Sequence, residues 1–235
     1  MSNVAIIPAR GGSKRIPRKN IKSFHGQPMI AYAIKAARAA GLFDRIVVST
    51  DDDEIAELAA SLGAEVPFRR PPELADDHTT TIAVIQHAIQ VLQAEGEAVC
   101  MACCLYATAP FVQPKYLQAG FYALSAQPDK AYAFSVTSFP FPVQRAIRIT
   151  TEGCVDALYP QYRNTRSQDL EEAFHDAGQF YWGRATAWLN GEVIFSPAAL
   201  PVILPRHLVQ DIDTPEDWLR AEYLYSALQA SGEFV

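Results

Sequence analysis

The chain has 235 residues, 49% of them apolar and 20% charged, with a formal charge of −6. That is the composition of an ordinary globular domain long enough to bury a sizeable core. Its acidic balance excludes broad electrostatic binding to nucleic acid or to an anionic membrane surface, which needs an extended positive face. Any anion site must be local.

The opening segment MSNVAIIPARGG has an apolar run of strand length, without a basic leader or an A-x-A-type cleavage site. No apolar stretch approaches a membrane span, so a cytoplasmic protein that binds neither membrane nor nucleic acid is expected. Cys100, Cys103, Cys104 and Cys154 do not space as a disulfide framework. The first three fall in AVCMACCLYA, which reads as a buried strand with packing thiols. Redox or zinc chemistry at Cys100-x-x-Cys103 is the alternative, and it would want a helix N-terminus beside the thiol.

VAIIPA (4–9) is the first strand. QPMIAYAIKAARAAG (27–41) follows as a helix, with Pro28 near its first turn and Gly41 closing it. RIVVSTDD (45–52) is a strand, DEIAELAASLG (53–63) a helix, and AEVPF (64–68) a third short strand. TTTIAVIQHAIQVLQAEG (79–96) is a helix with a threonine cap, AVCMACCLYA (98–107) the fourth strand, and QPKYLQAGFYALSA (113–126) another helix. Apolar strands alternating with helices predict a parallel sheet covered on both faces. Then the rhythm breaks. AYAFSVTSFP (131–140) and VQRAIRIT (143–150) read as strands, whereas 151–178 is polar and turn-rich. A segment of that kind inside a domain is usually a functional or interaction arm. GQFYWGRATAWL resumes order, and PVILPRHLVQDIDTPEDWLRAEYLYSAL supplies a strand, an acidic turn and a helix capped by Thr214.

Five cations crowd ten positions directly after the first strand: Arg10, Lys14, Arg15, Arg18 and Lys19. Ligands of open α/β sheets sit at the carboxyl ends of strands, so this loop lies where a ligand would. It is neither GxGxxG nor GxxxxGK[ST]. Gly11 and Gly12 permit close backbone approach, and Arg10, Lys14 and Lys19 can converge on an anion of several charges, such as a triphosphate. Asp211 and Asp213, one residue apart, share a face of an extended segment and suit Mg²⁺ beside phosphate oxygens. The alternative is that Asp213 caps the helix starting at Pro215 and Asp211 is merely exposed. Asp51, Asp52 and Asp53 read as a cluster complementing a helix dipole.

IPARGGSKRIPRKN, STDDDEI, RRPPELADDHTTT and DIDTPEDW, in this order along nearly the whole chain, resemble the cytidylyltransferases that activate nine-carbon sialic-type acids as CMP-sugars. LYPQYRNTRSQDLEEAFHDAGQFYWG is most similar to the branch acting on pseudaminic acid. The resemblance implies an α/β fold, a Rossmann-like doubly wound, mostly parallel sheet forming one nucleotidyltransferase domain over 1–235. A small dimerisation arm near 138–175 would build a homodimer. The partners implied are CTP and an acidic nine-carbon sugar, and the cofactor is Mg²⁺ on Asp211 and Asp213. Arg10, Lys14 and Lys19, with Asp211, would carry catalysis. Gly11, Gly12, Ser13, Asn20, Arg70, Thr79, Thr80 and Thr108 would bind the nucleotide, Arg70 at the cytosine. Tyr106, Arg163, Arg166, His175, Asp176 and Gln179 would face the sugar, although a lone histidine such as His175 is more often structural. Relatives that activate ordinary sialic acid carry Gln-Pro-Thr-x-Pro where this chain has Tyr106-Ala107-Thr108-Ala109-Pro110, which turns the expectation away from N-acetylneuraminate. Sialic, legionaminic or KDO acids, or a non-catalytic nucleotide-binding module, are the alternatives.

Overall fold

The computed structural model describes residues 2–232. Ten strands form: β1 (Ser2–Pro8), β2 (Ser23–Phe24), β3 (Gln27–Pro28), β4 (Arg45–Ser49), β5 (Val99–Leu105), β6 (Tyr132–Ser138), β7 (Ile147–Ile149), β8 (Val155–Ala157), β9 (Phe174–Arg184) and β10 (Ala199–Ile203). The helices are α1 (Met29–Ala40), α2 (Asp53–Ser61), α3 (Thr81–Ala94), α4 (Pro114–Ala126), α5 (Ala185–Leu189) and α6 (Pro215–Ser231). The central sheet runs β10-β6-β9-β5-β1-β4. Neighbours are parallel except at β9, which is antiparallel to both β5 and β6. The expected mostly parallel, doubly wound α/β sheet is therefore present.

The two-residue period of a strand explains why both faces are covered. In β1, Ala5 and Ile7 pack with α1, α2 and α4 in one core, while Val4 and Ile6 pack with α3 and α5 in the other. Ile6 and Ile7 are both fully buried, each worth about 1.5–3 kcal/mol relative to exposure. The same alternation separates Cys103 from Cys104. All four cysteines are free, and Cys100, with Cys154, is exposed rather than buried. Burial pushes the Cys103 and Cys104 thiols up, the opposite of what redox chemistry requires. A third cluster joins α6 to the β2–β3 turn through Phe24, Trp218 and Tyr225.

Three expectations need correction. AEVPF is no strand: only Glu65 bridges Val47, because Pro67 has no N–H to extend the ladder. VQRAIRIT is a turn of 3₁₀ helix at Val143–Arg145 followed by the three-residue β7, which pairs with β8 outside the main sheet. Order resumes earlier than GQFYWG, since β9 begins at Phe174. The pairing of β9 with β6 slips between Phe134 and Val136, where Gly178 adopts φ +62°. That bulge, a device that re-aims side chains, hides the strand from any period-two reading.

Gly183 is closely packed against one core: a Cβ there would lie 2.4 Å from Trp188 Nε1 and 2.7 Å from the Tyr132 ring. Both rings are fully buried and cannot retreat cheaply. Gly183→Ala should therefore lose about 1–3 kcal/mol or more through overpacking. A urea midpoint unchanged from wild type would show that this contact relaxes freely.

Candidate functional site

A cleft of about 490 Å³ opens at the carboxyl ends of β1 and β5, lined by Arg10, Ser13, Lys14, Arg15, Lys19 and Asn20 from the basic loop. Arg70, Thr79 and Thr81 enter from the α2–α3 connection, Tyr106 and Thr108 follow β5, and Asp213 precedes α6. Most of the expected nucleotide-site residues thus meet in one place.

The acidic cluster after β4 holds the basic loop. Asp51 Oδ1 accepts from the Gly11 N–H at 3.0 Å. A Cβ on Gly11 would come within 2.6 Å of Asp52 Oδ2, so glycine is required by close approach. Asp52 caps α2 by accepting from Ile55 N at 2.9 Å, as a dipole-complementing aspartate should. It also accepts from Arg18 Nη2 at 3.0 Å, while Arg18 pairs with Glu54 as well. Asn20 is buried and donates to Arg10 O at 2.9 Å, bracing the loop from within.

Arg18, through its hydrogen bond, holds the Asp52 carboxyl below the usual carboxylate range despite its partial burial. A carboxylate lowered on folding contributes stability above its unfolded pKa, and that contribution is lost as pH falls through the folded value. Asp52→Asn should accordingly lower stability at neutral pH and flatten the acid side of the stability–pH curve. Urea midpoints between pH 7 and pH 3 that run parallel in variant and wild type would contradict this.

Every cation of the loop has an acidic partner. Asp77 pairs with Lys14 and, at 2.6 Å, with Arg10; Arg10 also donates to Asp76 O at 2.9 Å. Asp213 accepts from Lys19 at 3.1 Å and pairs with Arg15 at 2.9 Å. Lys19 donates further to Ile212 O at 2.6 Å. Lys14, first, and then Arg10 hold the Asp77 carboxyl below its ordinary range. Asp77 is the cleft-lining partner of two of these cations that sequence reasoning missed. Its signal was the Asp76-Asp77 pair, one residue before the threonine run.

Arg70 is buried at the cleft floor. Its nearest counter-charge, Asp51, is 3.9 Å away, and its Nε and Nη2 have no hydrogen-bond partner. Desolvation lowers its pKa, Asp51 opposes that, and Arg10 adds to it. A desolvated guanidinium with spare donors fits an acceptor-rich guest.

The remaining residues divide. Thr79 Oγ1 donates to Asp76 at 2.6 Å, and Thr80 caps α3 by accepting from Ala83 N at 3.3 Å. Gly11, Gly12 and Thr80 lie outside the cleft lining. Asp213 does not cap α6: Thr214 and Asp217 form the capping box instead, so the capping half of the alternative fails, whereas Asp211 is exposed, as that alternative expects. Asp211 lies beside Asp213 but outside the lining. Partial desolvation, and then repulsion from Asp213, push its carboxyl up. Gln179 is buried and braces β9 by donating to Leu208 O at 2.6 Å. His175 Nδ1 lies 2.8 Å from Asp176 O, its ring edge-on to Phe139 at 4.9 Å. Arg163 and Arg166 stand on the arm, paired with Asp156 at 3.8 Å and Asp169 at 2.8 Å. Within one chain they do not reach the cleft lining.

Residues 4–196 match the family described as Cytidylyltransferase. The chain is 46% identical to a pseudaminic acid cytidylyltransferase of Campylobacter jejuni, covering 96% of this chain and 97% of that protein. It is 30% identical to a CMP-N,N'-diacetyllegionaminic acid synthase of Legionella pneumophila, covering 95% and 96%. Among solved structures, a CMP:2-keto-3-deoxy-manno-octonic acid synthetase complexed with CTP superposes with a TM-score of 0.69 at 18% identity, covering 97% and 99%. That likeness shows the fold.

Proposed function

The chain belongs to the cytidylyltransferase family and is a nucleotidyltransferase; on that premise we propose that it transfers CMP from CTP to the anomeric hydroxyl of pseudaminic acid, releasing pyrophosphate. The single observation that carries the reaction type is the meeting of Arg10, Lys14, Lys19 and Arg70 with Asp213 in one cleft. Full-length similarity to proteins named for pseudaminic acid supports the sugar, as does Tyr106 in the place of the sialate-type glutamine.

On this reading the sugar hydroxyl attacks the α-phosphate in line and the bond to the β-phosphate breaks. Little covalent work falls to the protein, so catalysis is positioning and charge stabilisation. Asp77 keeps Arg10 and Lys14 ordered until the triphosphate, with its greater charge, replaces it. Arg70 offers its donors to the cytosine, and Thr108 and Ser13 line the nucleotide.

The acidic pair fits Mg²⁺. Desolvation first, and then repulsion from Asp213, raises Asp211; a divalent cation would relieve the repulsive part while leaving coordination sites for phosphate oxygens. Bound there, Mg²⁺ supplies charge neutralisation at the reacting phosphate.

We also propose a homodimer through the arm. Phe141, in the segment after β6, and Ile149, on the β7–β8 ribbon outside the cores, are 78% and 77% exposed. Aromatic and apolar groups so placed are typical interface material. Dimerisation would carry Arg163 or Arg166 toward the partner's sugar. Sedimentation should show a dimer at micromolar concentration and a monomer for Ile149→Asp. A fully active wild-type monomer would contradict it.

Among the described residues no helix is long and apolar enough to cross a membrane; we place the enzyme in the cytoplasm, with CTP. Mass spectrometry of a reaction containing CTP, Mg²⁺ and pseudaminic acid should find the CMP-sugar and equimolar pyrophosphate. CTP recovered intact would refute cytidylyl transfer.

A further inference from the structure

A second cavity, of about 690 Å³, lies between α1 and the start of α4, and it shares no lining residue with the cleft. Its α1 wall is Tyr32, Lys35, Ala36 and Ala39, a spacing that puts all four on one face of a helix. Gln118 Nε2 donates to Ala40 O at 2.9 Å and ties the two helices together. The short side chains of Ala36 and Ala39 leave open a space that larger ones would fill. The other wall comes from the segment after β5 and from α4, through Val112, Gln113 and Lys115. A volume of this size is that of a small-molecule site.

The lining holds two lysines and no carboxylate, in a chain whose formal charge is −6. Among the described residues the lysines in ion pairs are Lys14, Lys19 and Lys130, so Lys35 and Lys115 have no counter-charge. Lys35 donates to the neutral Gln27 Oε1, and Lys115 Nζ rests 5.0 Å from the centre of the Tyr116 ring. The 13-residue helix α4 adds its positive N-terminal end. Gln113 stands at the N-cap without making a side-chain cap bond. Only 9% of Gln113 is exposed, and its Nε2 has no hydrogen-bond acceptor. A buried donor left unmade is costly, and a ligand oxygen would satisfy it. We infer that this groove is a second ligand site and that it takes an organic phosphate. The anion sits among Lys35, Lys115 and Gln113 at the start of α4, where two cations match its charge. Its flat apolar body lies along Tyr32, Ala36, Ala39 and Val112. The site goes beyond cytidylyl transfer and does not depend on it.

The test titrates phenyl phosphate into the full chain, isotope-labelled on its alanine and valine methyl groups, and follows the methyl NMR signals. Ala36, Ala39 and Val112 report the groove, and Val84 and Ala107 report the cleft. The groove methyls should shift together with a Kd of about 1 mM or tighter. Inorganic phosphate lacks the ring and phenol lacks the charge, so each should bind there at least about tenfold more weakly. Lys35→Glu combined with Lys115→Glu changes two exposed side chains and should weaken the groove titration about tenfold or more. Ala39→Trp, which fills the groove without altering its charge, should abolish that titration. Groove methyls that stay still up to roughly 10 mM, or shifts confined to Val84 and Ala107, overturn the inference. So does phenol or inorganic phosphate binding the groove as tightly as phenyl phosphate, or a groove titration that survives both sets of substitutions unchanged. Cytidylyl transfer stands or falls separately, since its residues line the other cavity.

Discussion

Asp213→Asn is expected to lower kcat/KM by about a thousandfold while leaving the fold intact. Asp213 is the carboxylate of the pair that lines the cleft, and losing the metal ligand we propose there should cost several kcal/mol of barrier, each ~1.4 kcal/mol being tenfold in rate. Its pairs with Lys19 and Arg15 are partly solvated and are worth only about 0–1 kcal/mol each. The α6 cap uses Thr214 and Asp217 instead. Thermal stability should therefore hold, and the residual rate should respond weakly to added Mg²⁺. A rate near wild type with an ordinary Mg²⁺ titration would remove Asp213 from the metal site.

Arg70→Met is expected to act the opposite way on binding and on stability. Methionine keeps much of the apolar stem and removes a guanidinium with two unpartnered nitrogens in a desolvated setting. Free of CTP, the variant should be as stable as wild type or more so, because removing an imperfectly paired buried charge relieves its desolvation cost. With CTP it should lose the charged hydrogen bonds, about 1.5–3 kcal/mol, and KM for CTP should rise about 10- to 100-fold. A large drop in melting temperature with unchanged KM would make Arg70 a structural residue.

How far these features were legible in the sequence depended on how local their cause was. The basic loop stood out because its five cations are neighbours in the chain, and the two-core sheet because β1 and β5 are apolar on both faces. Gly41 and Thr214 ended and began helices where their chemistry requires. Partners across the fold were hidden. Asp52 read as one of a helix-dipole cluster and Asp77 carried no reading of its own, and only the folded chain sets them on Arg18 and Arg10. The arm strands β7 and β8 belong to neither core, so no periodicity marks them. Tyr181 looked like one more aromatic in GQFYWG, and its bond to Asp176 depends on the bulge at Gly178.

The most direct test is a competition assay in which the enzyme, CTP and Mg²⁺ meet equal concentrations of pseudaminic, legionaminic and N-acetylneuraminic acids. The initial rates of the three CMP-sugars then report the ratio of kcat/KM values. The account predicts that CMP-pseudaminic acid dominates by at least about tenfold. Equal rates, or N-acetylneuraminate in front, would contradict it.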